Sequence, residues 1–146
     1  MTLQLTEAAL TLTLNSDQGL QQAALHSYFT VDSVHQVSVS TLSGDYLDKV
    51  KAGERFVQHQ PELTFTAEID RVYLDTAGEL TLKQEKNDVQ ITQQGHDASV
   101  LWNPGHIKAA AMADMHPGAA AEFVCIESAR LALEPQPLSL TQIIRG

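Results

Sequence analysis

The chain has 146 residues, 43% of them hydrophobic and 18% charged, with a formal charge of −9. That length and composition fit one folded domain over residues 1–146 and exclude a disordered chain. The acidic balance argues against a nucleic-acid surface, and no apolar run approaches the ~20 residues that a membrane-spanning helix needs.

Met1-Thr2-Leu3-Gln4-Leu5 lacks the basic and continuously apolar blocks of a secretory signal. The single cysteine, Cys125, lies between Val124 and Ile126 and reads as a small buried hydrophobe. One cysteine makes no internal disulfide, so a reducing, cytoplasmic setting is the expectation.

Alternation of apolar and polar residues, the mark of half-buried strands, dominates from the start. Leu3 and Leu5, then Leu10, Leu12 and Leu14, alternate with polar neighbours, and Asn15-Ser16-Asp17-Gln18-Gly19 reads as a turn. A strand over Leu20–Thr30 carries His26. Val34, Val37 and Val39 predict the next, ended by Ser43-Gly44-Asp45.

Tyr46-Leu47-Asp48-Lys49-Val50 is a short strand or a loop, and Lys51-Ala52-Gly53-Glu54 a turn. One long strand is expected from Leu63 through Asp70 to Tyr73. Leu80 and Leu82, with Val89 and Ile91, bracket a hairpin at Lys86-Asn87-Asp88. Ala98, Val100 and Trp102 alternate until Asn103-Pro104-Gly105 breaks the run. His106–Met115 is a short helix or an extended loop, and strands follow over Ala121–Leu133 and Leu138–Ile144. Many short strands with turns between them predict an all-β, antiparallel β-sandwich or barrel.

Three strands each carry one acid–base group in an apolar setting, where a charge is costly. His26 stands in Ala24-Leu25-His26-Ser27-Tyr28-Phe29 and shares its face with Ala24 and Tyr28. It is either a core histidine bonded to a carbonyl or a general acid–base group, since imidazole titrates near neutral pH. Glu127 ends Phe123-Val124-Cys125-Ile126 and is either a solvated strand end or a base tuned by partial burial. Asp70 is a surface acid or a substrate anchor, and Arg71, pointing the other way, should not pair with it. Trp102 and Asn103 are core plus turn, or the floor of a ligand cleft. The six histidines show no metal-ligand spacing, so no metal is expected. Neither a glycine-rich phosphate loop nor a Gly-x-Ser-x-Gly turn is present.

Six segments occur in order: Ala24–Phe29, Tyr46–Val50, Glu68–Tyr73, Val100–Pro104, Lys108–Met115 and Phe123–Glu127. Together the chain resembles the glucose-6-phosphate 1-epimerases (hexose-6-phosphate mutarotases), a branch of the aldose 1-epimerase group. The resemblance runs from about Leu3 to Ile144 and corresponds to the C-terminal half of such a protein. It implies half of a galactose mutarotase-like β-supersandwich, His26 as catalytic acid, Glu127 as catalytic base, and Asp70 as a ligand of sugar hydroxyls. Sugar-phosphate arginines of the family belong to its other half. The nearest cations in the matched segments here are Lys49, Arg71, Lys108 and Arg130.

The implied activity is cofactor-independent exchange of the α and β anomers of a hexose 6-phosphate, with His26 and Glu127 meeting across a cleft at sugar-ring distance. Trp102 or Tyr28 would cover an apolar sugar face, and Asn103 would join Asp70 and Trp102 in the substrate set. The alternative is a non-catalytic carbohydrate-binding module, or an inactive fragment that self-associates through an open sheet edge.

Overall fold

The computed structural model describes residues 1–42 and 44–146. Ser43 of the expected Ser43-Gly44-Asp45 turn lies outside the described residues. Among the described residues thirteen strands form two antiparallel sheets. No helix is long and apolar enough to cross a membrane.

The strands, in chain order, are β1 (Thr2–Leu5), β2 (Leu10–Ser16), β3 (Ala23–Thr30), β4 (Ser38–Ser40), β5 (Gly44–Asp48), β6 (Glu54–Gln58) and β7 (Glu62–Thr64). They continue as β8 (Ile69–Leu74), β9 (Glu79–Lys83), β10 (Val89–Gln94), β11 (Ala98–Asn103), β12 (Phe123–Arg130) and β13 (Leu138–Arg145). One short helix, α1 (Gly105–Ala111), follows β11. The seven-stranded sheet runs β1-β2-β13-β10-β9-β4-β7 and the six-stranded sheet β3-β12-β11-β8-β5-β6.

The core lies between the sheets. Val39, Leu63, Leu80, Leu82 and Ile91 of the first meet Phe29, Tyr46, Tyr73, Leu101, Val124 and Ile126 of the second. Burying each such side chain is worth roughly 1.5–3 kcal/mol. Alternation then sends the residues between them to the outer face of the six-stranded sheet. That face carries its own small apolar cluster of Val72, Ala98 and Ala129, packed by Leu47, Leu74 and Val100.

The chain departs from the expected pattern where local signals mislead. The Leu63–Tyr73 run is two strands, not one: β7 ends the seven-stranded sheet and β8 lies inside the other. Phe65 stays fully buried between them, so apolarity persists while the chain changes layers. Val34–Gln36 is a 3-10 turn, closed by Gln36 N–H to the Ser33 carbonyl, before the short β4. Gly44 and Asp45 belong to β5, and a 3-10 turn at Lys49–Lys51 follows, with the Asp48 carboxylate accepting from Val50 N–H. β6 had no signal, because this edge strand has only Phe56 and Val57 as apolar members and no alternation. Beyond Leu20, β3 begins only at Ala23.

The seven-stranded sheet overhangs its partner. Leu12 and Leu14 face inward against Leu25, and the register Leu3↔Leu12 and Leu5↔Leu10 puts β1 on the same side. With no strand beneath them, Leu3 is 61% and Leu5 80% exposed. β3, which edges the six-stranded sheet here, has one side of its backbone unpaired.

Candidate active site

Antiparallel register decides which side chains meet, and here it aligns two rows on the outer face of the six-stranded sheet. One row is Tyr28, Cys125, Trp102 and Asp70, taken from β3, β12, β11 and β8. The next row is His26, Glu127, Val100 and Val72. Sites 100 positions apart in the chain thus become neighbours through strand pairing alone.

His26 Nε2 lies 3.2 Å from Glu127 Oε1. The other ring nitrogen, Nδ1, is 3.1 Å from Cys125 Sγ. The ring is further held by stacking on Tyr28, with centroids 4.9 Å apart. Trp102 meets Tyr28 and His26 edge-on at 6.2 and 6.3 Å and leans on Phe123 at 5.7 Å. His26 and Tyr28 face solvent, whereas Glu127 is only 7% exposed.

Burial, helped by the negative charge of Asp70, pushes the Glu127 carboxyl up to about 7. A carboxyl that titrates there can accept and return a proton near neutral pH. The Asp70 carboxyl is also raised, by its own burial, while Lys108 and Lys49 pull it back. Burial and then the Glu127 charge push the Cys125 thiol far up, so it stays protonated as a free side chain.

The opposite side of β12 fixes this strand. Ser27 Oγ donates to Gln142 Oε1 at 2.5 Å, and Gln142 Nε2 donates to the Ile126 carbonyl at 3.2 Å and to Ser128 Oγ at 3.0 Å. Ser128 Oγ passes on to Gln93 Oε1 at 2.7 Å, which Ser99 Oγ also reaches at 3.1 Å. A buried network so fully bonded resists rearrangement, and it grips β12 on both sides of Glu127. Composition gave no sign of it, since its members are spread over five strands.

The expected site residues divide. His26, Glu127, Asp70 and Trp102 share one face, which strand pairing brings about. His26 and Glu127, expected to meet across a cleft, stand side by side on paired strands. Asn103 points away and is withdrawn from the substrate set. Its buried amide spends both N–H donors on the Ala120 and Phe123 carbonyls and accepts from Gly105 N–H, so it is committed to the backbone. It fastens the end of β11 where Gly105 turns at φ +64, with the Glu68 backbone too close for a side chain.

Sequence reasoning placed Cys125 on the Glu127 face but missed its contact with His26. Of the cations considered, Arg130 is buried and donates to the carbonyls of Pro137, Gln136 and Gln21. Arg71 turns away from Asp70, as expected, and lies over Tyr46 at 4.5 Å with Asp48 beside it. Lys108 pairs with Glu68 at 2.8 Å. Two other hollows, around Asp32 and Lys86 and between His35, Phe65 and His106, are lined by none of His26, Asp70 or Glu127.

This arrangement of two antiparallel sheets is the mutarotase-like β-sandwich. The solved structure of a protein provisionally named as a mutarotase, from Salmonella typhimurium, superposes with a TM-score of 0.86 at 30% identity, covering 94% of this chain and 49% of that one. The aldose 1-epimerase family model matches residues 1–137, and the chain belongs to that family. Two relatives share the provisional name glucose-6-phosphate 1-epimerase. That of Cenchrus ciliaris is 35% identical over 109 residues, covering 73% of this chain and 33% of the relative. That of Escherichia coli K12 is 33% identical over 130 residues, covering 84% and 44%. This chain thus spans a third to a half of the length of the curated relatives it matches.

Proposed function

We propose that this protein interconverts the α and β anomers of a hexose 6-phosphate, with Glu127 and His26 as the proton-transfer pair. The observation that carries the reading is their 3.2 Å contact on the open sheet face, beside Asp70 and Trp102 in the next row. Family membership supports sugar anomers as the substrate class, and the names of the relatives support the 6-phosphate.

Anomer exchange needs two proton transfers, at the two oxygens bonded to C1. O1 loses its proton while O5 gains one, the C1–O5 bond opens, and the aldehyde turns about C1–C2 and recloses on its other face. Both oxygens are bonded to C1, so the groups that serve them belong side by side. Glu127 takes the proton from O1 and protonated His26 supplies O5, and the roles reverse on closure. Asp70 accepts from a ring hydroxyl, and Tyr28 and Trp102 cover the apolar sugar face. Each positioned transfer is worth ~10²–10⁴ in rate.

The test is exchange NMR on equilibrated glucose 6-phosphate with the purified 146-residue chain. The expected result is α–β cross-peaks growing faster than in buffer, and only at the buffer rate with Glu127→Gln. Equal rates for parent chain and buffer would remove the proposal.

A second reading has its own support in the bare ledge of Leu3 and Leu5 beside the unpaired edge of β3. An open edge and apolar overhang of this kind favour self-association. Sedimentation equilibrium checks it: a dimer that dissociates on Leu3→Glu supports it, and a monomer at all concentrations ends it.

A further inference from the structure

The imidazole, thiol and carboxylate at the heart of this site have a second chemistry, visible only once β3 and β12 are paired. One nitrogen, one sulfur and one oxygen from His26, Cys125 and Glu127 lie within 4.8 Å of one another. Nε2 is 4.0 Å from Sγ and 3.2 Å from Oε1. Zinc bound tetrahedrally to N, S and O ligands holds them about 3.3–3.7 Å apart. The widest separation must therefore close by about 1.1–1.5 Å, and the imidazole must turn to aim a ring nitrogen between Sγ and the carboxylate, movements that side-chain torsions make. Thiolate, imidazole and carboxylate are all ligands that zinc, itself a borderline cation, accepts.

We propose that His26, Cys125 and Glu127 form a binding site for a zinc-type divalent cation, with water as the fourth ligand on the open side. Two of the ligands sit at alternate positions of one strand and the third directly opposite, so the scaffold is a rigid sheet. Coordination replaces the thiol proton, which leaves to solvent as the S–Zn bond forms. Burial opposes a bare thiolate, but the dication supplies the missing countercharge at bonding distance.

A cation here occupies the same lone pairs that proton transfer at O1 and O5 requires. Binding itself rests on the geometry alone; the consequence that metal and anomer exchange exclude each other rests on the acid–base reading.

Zinc chloride titration by calorimetry and cobalt chloride titration by absorption test the site on the intact chain. One zinc per chain is expected. The cobalt form should show thiolate-to-metal charge transfer in the near-ultraviolet and intense four-coordinate bands in the visible. Cys125→Ser removes the charge-transfer band, and both Cys125→Ser and His26→Gln weaken zinc by at least about tenfold. His116→Gln, at the exposed His116–Glu122 pair 3.2 Å apart, leaves affinity unchanged. Should Cys125→Ser fail to fold, His26→Gln decides alone, because this half-exposed side chain is dispensable for packing. The site is overturned by no measurable binding, by saturation without the charge-transfer band, or by equal affinity in His26→Gln. Zinc binding without anomer exchange would leave the site standing and count only against the catalytic reading.

Discussion

His26 and Glu127 are register partners on neighbouring antiparallel strands, and their side chains touch at 3.2 Å. Strand pairing, rather than a loop, sets their separation, so the pair is positioned before any ligand arrives.

The first prediction concerns rate against pH. With the Glu127 carboxyl pushed up to about 7, kcat/KM for anomer exchange should rise with an apparent pKa near neutrality, far above the usual carboxylate range. Asp70→Asn removes a negative neighbour that opposes ionisation of Glu127, so the rising limb should move to lower pH. The same variant should raise KM as a hydroxyl partner weakens. A limb that stays in place in Asp70→Asn would separate the two residues electrostatically.

Glu127→Gln and His26→Gln should each lower kcat/KM by ~10²–10⁴ while leaving the fold intact. Exchange NMR gives the rates and circular dichroism the fold. A loss below threefold in either variant argues against the acid–base pair.

Stability should carry the same signature. The Glu127 value of about 7 in the fold compares with an ordinary value of 4.5. Between those two values the folded chain keeps a proton that the unfolded chain has released, so Glu127 makes stability fall as pH rises through the window. Glu127→Gln loses that slope. Its melting temperature should exceed the parent's by a few degrees at about pH 8 and match it at about pH 4. A parent–variant difference that does not change with pH contradicts the burial argument.

Asn103→Ala should destabilise by roughly 2–4 kcal/mol, because it strands a buried carbonyl, a part-buried one and an N–H at the β11–α1 junction. Denaturant unfolding measures the loss. Hydrogen exchange should rise first in α1 and around Ala119–Ala121, where its partners lie.

Most strands were legible because each has one face on the core, and alternation records that directly. Leu80, Leu82, Val89 and Ile91 foretold the β9–β10 hairpin, though not its register. The same parity correctly put Cys125 with Glu127, and Tyr28 with His26. It could not show that β7 and β8 part company, because Phe65 remains apolar while the chain crosses between layers. Nor could it show that Asn103 spends its amide on backbone groups, since a capping asparagine and a ligand-binding one look alike in sequence. Strand order was beyond it altogether, and the His26–Glu127 contact depends on that order.

His26 occupies the outermost strand of its sheet, with half of that strand's backbone still open to a partner. The residues proposed to move protons therefore stand beside an open margin of the sheet. Grafting a foreign cation-bearing strand onto that margin should retune substrate choice while the proton-moving residues stay as they are.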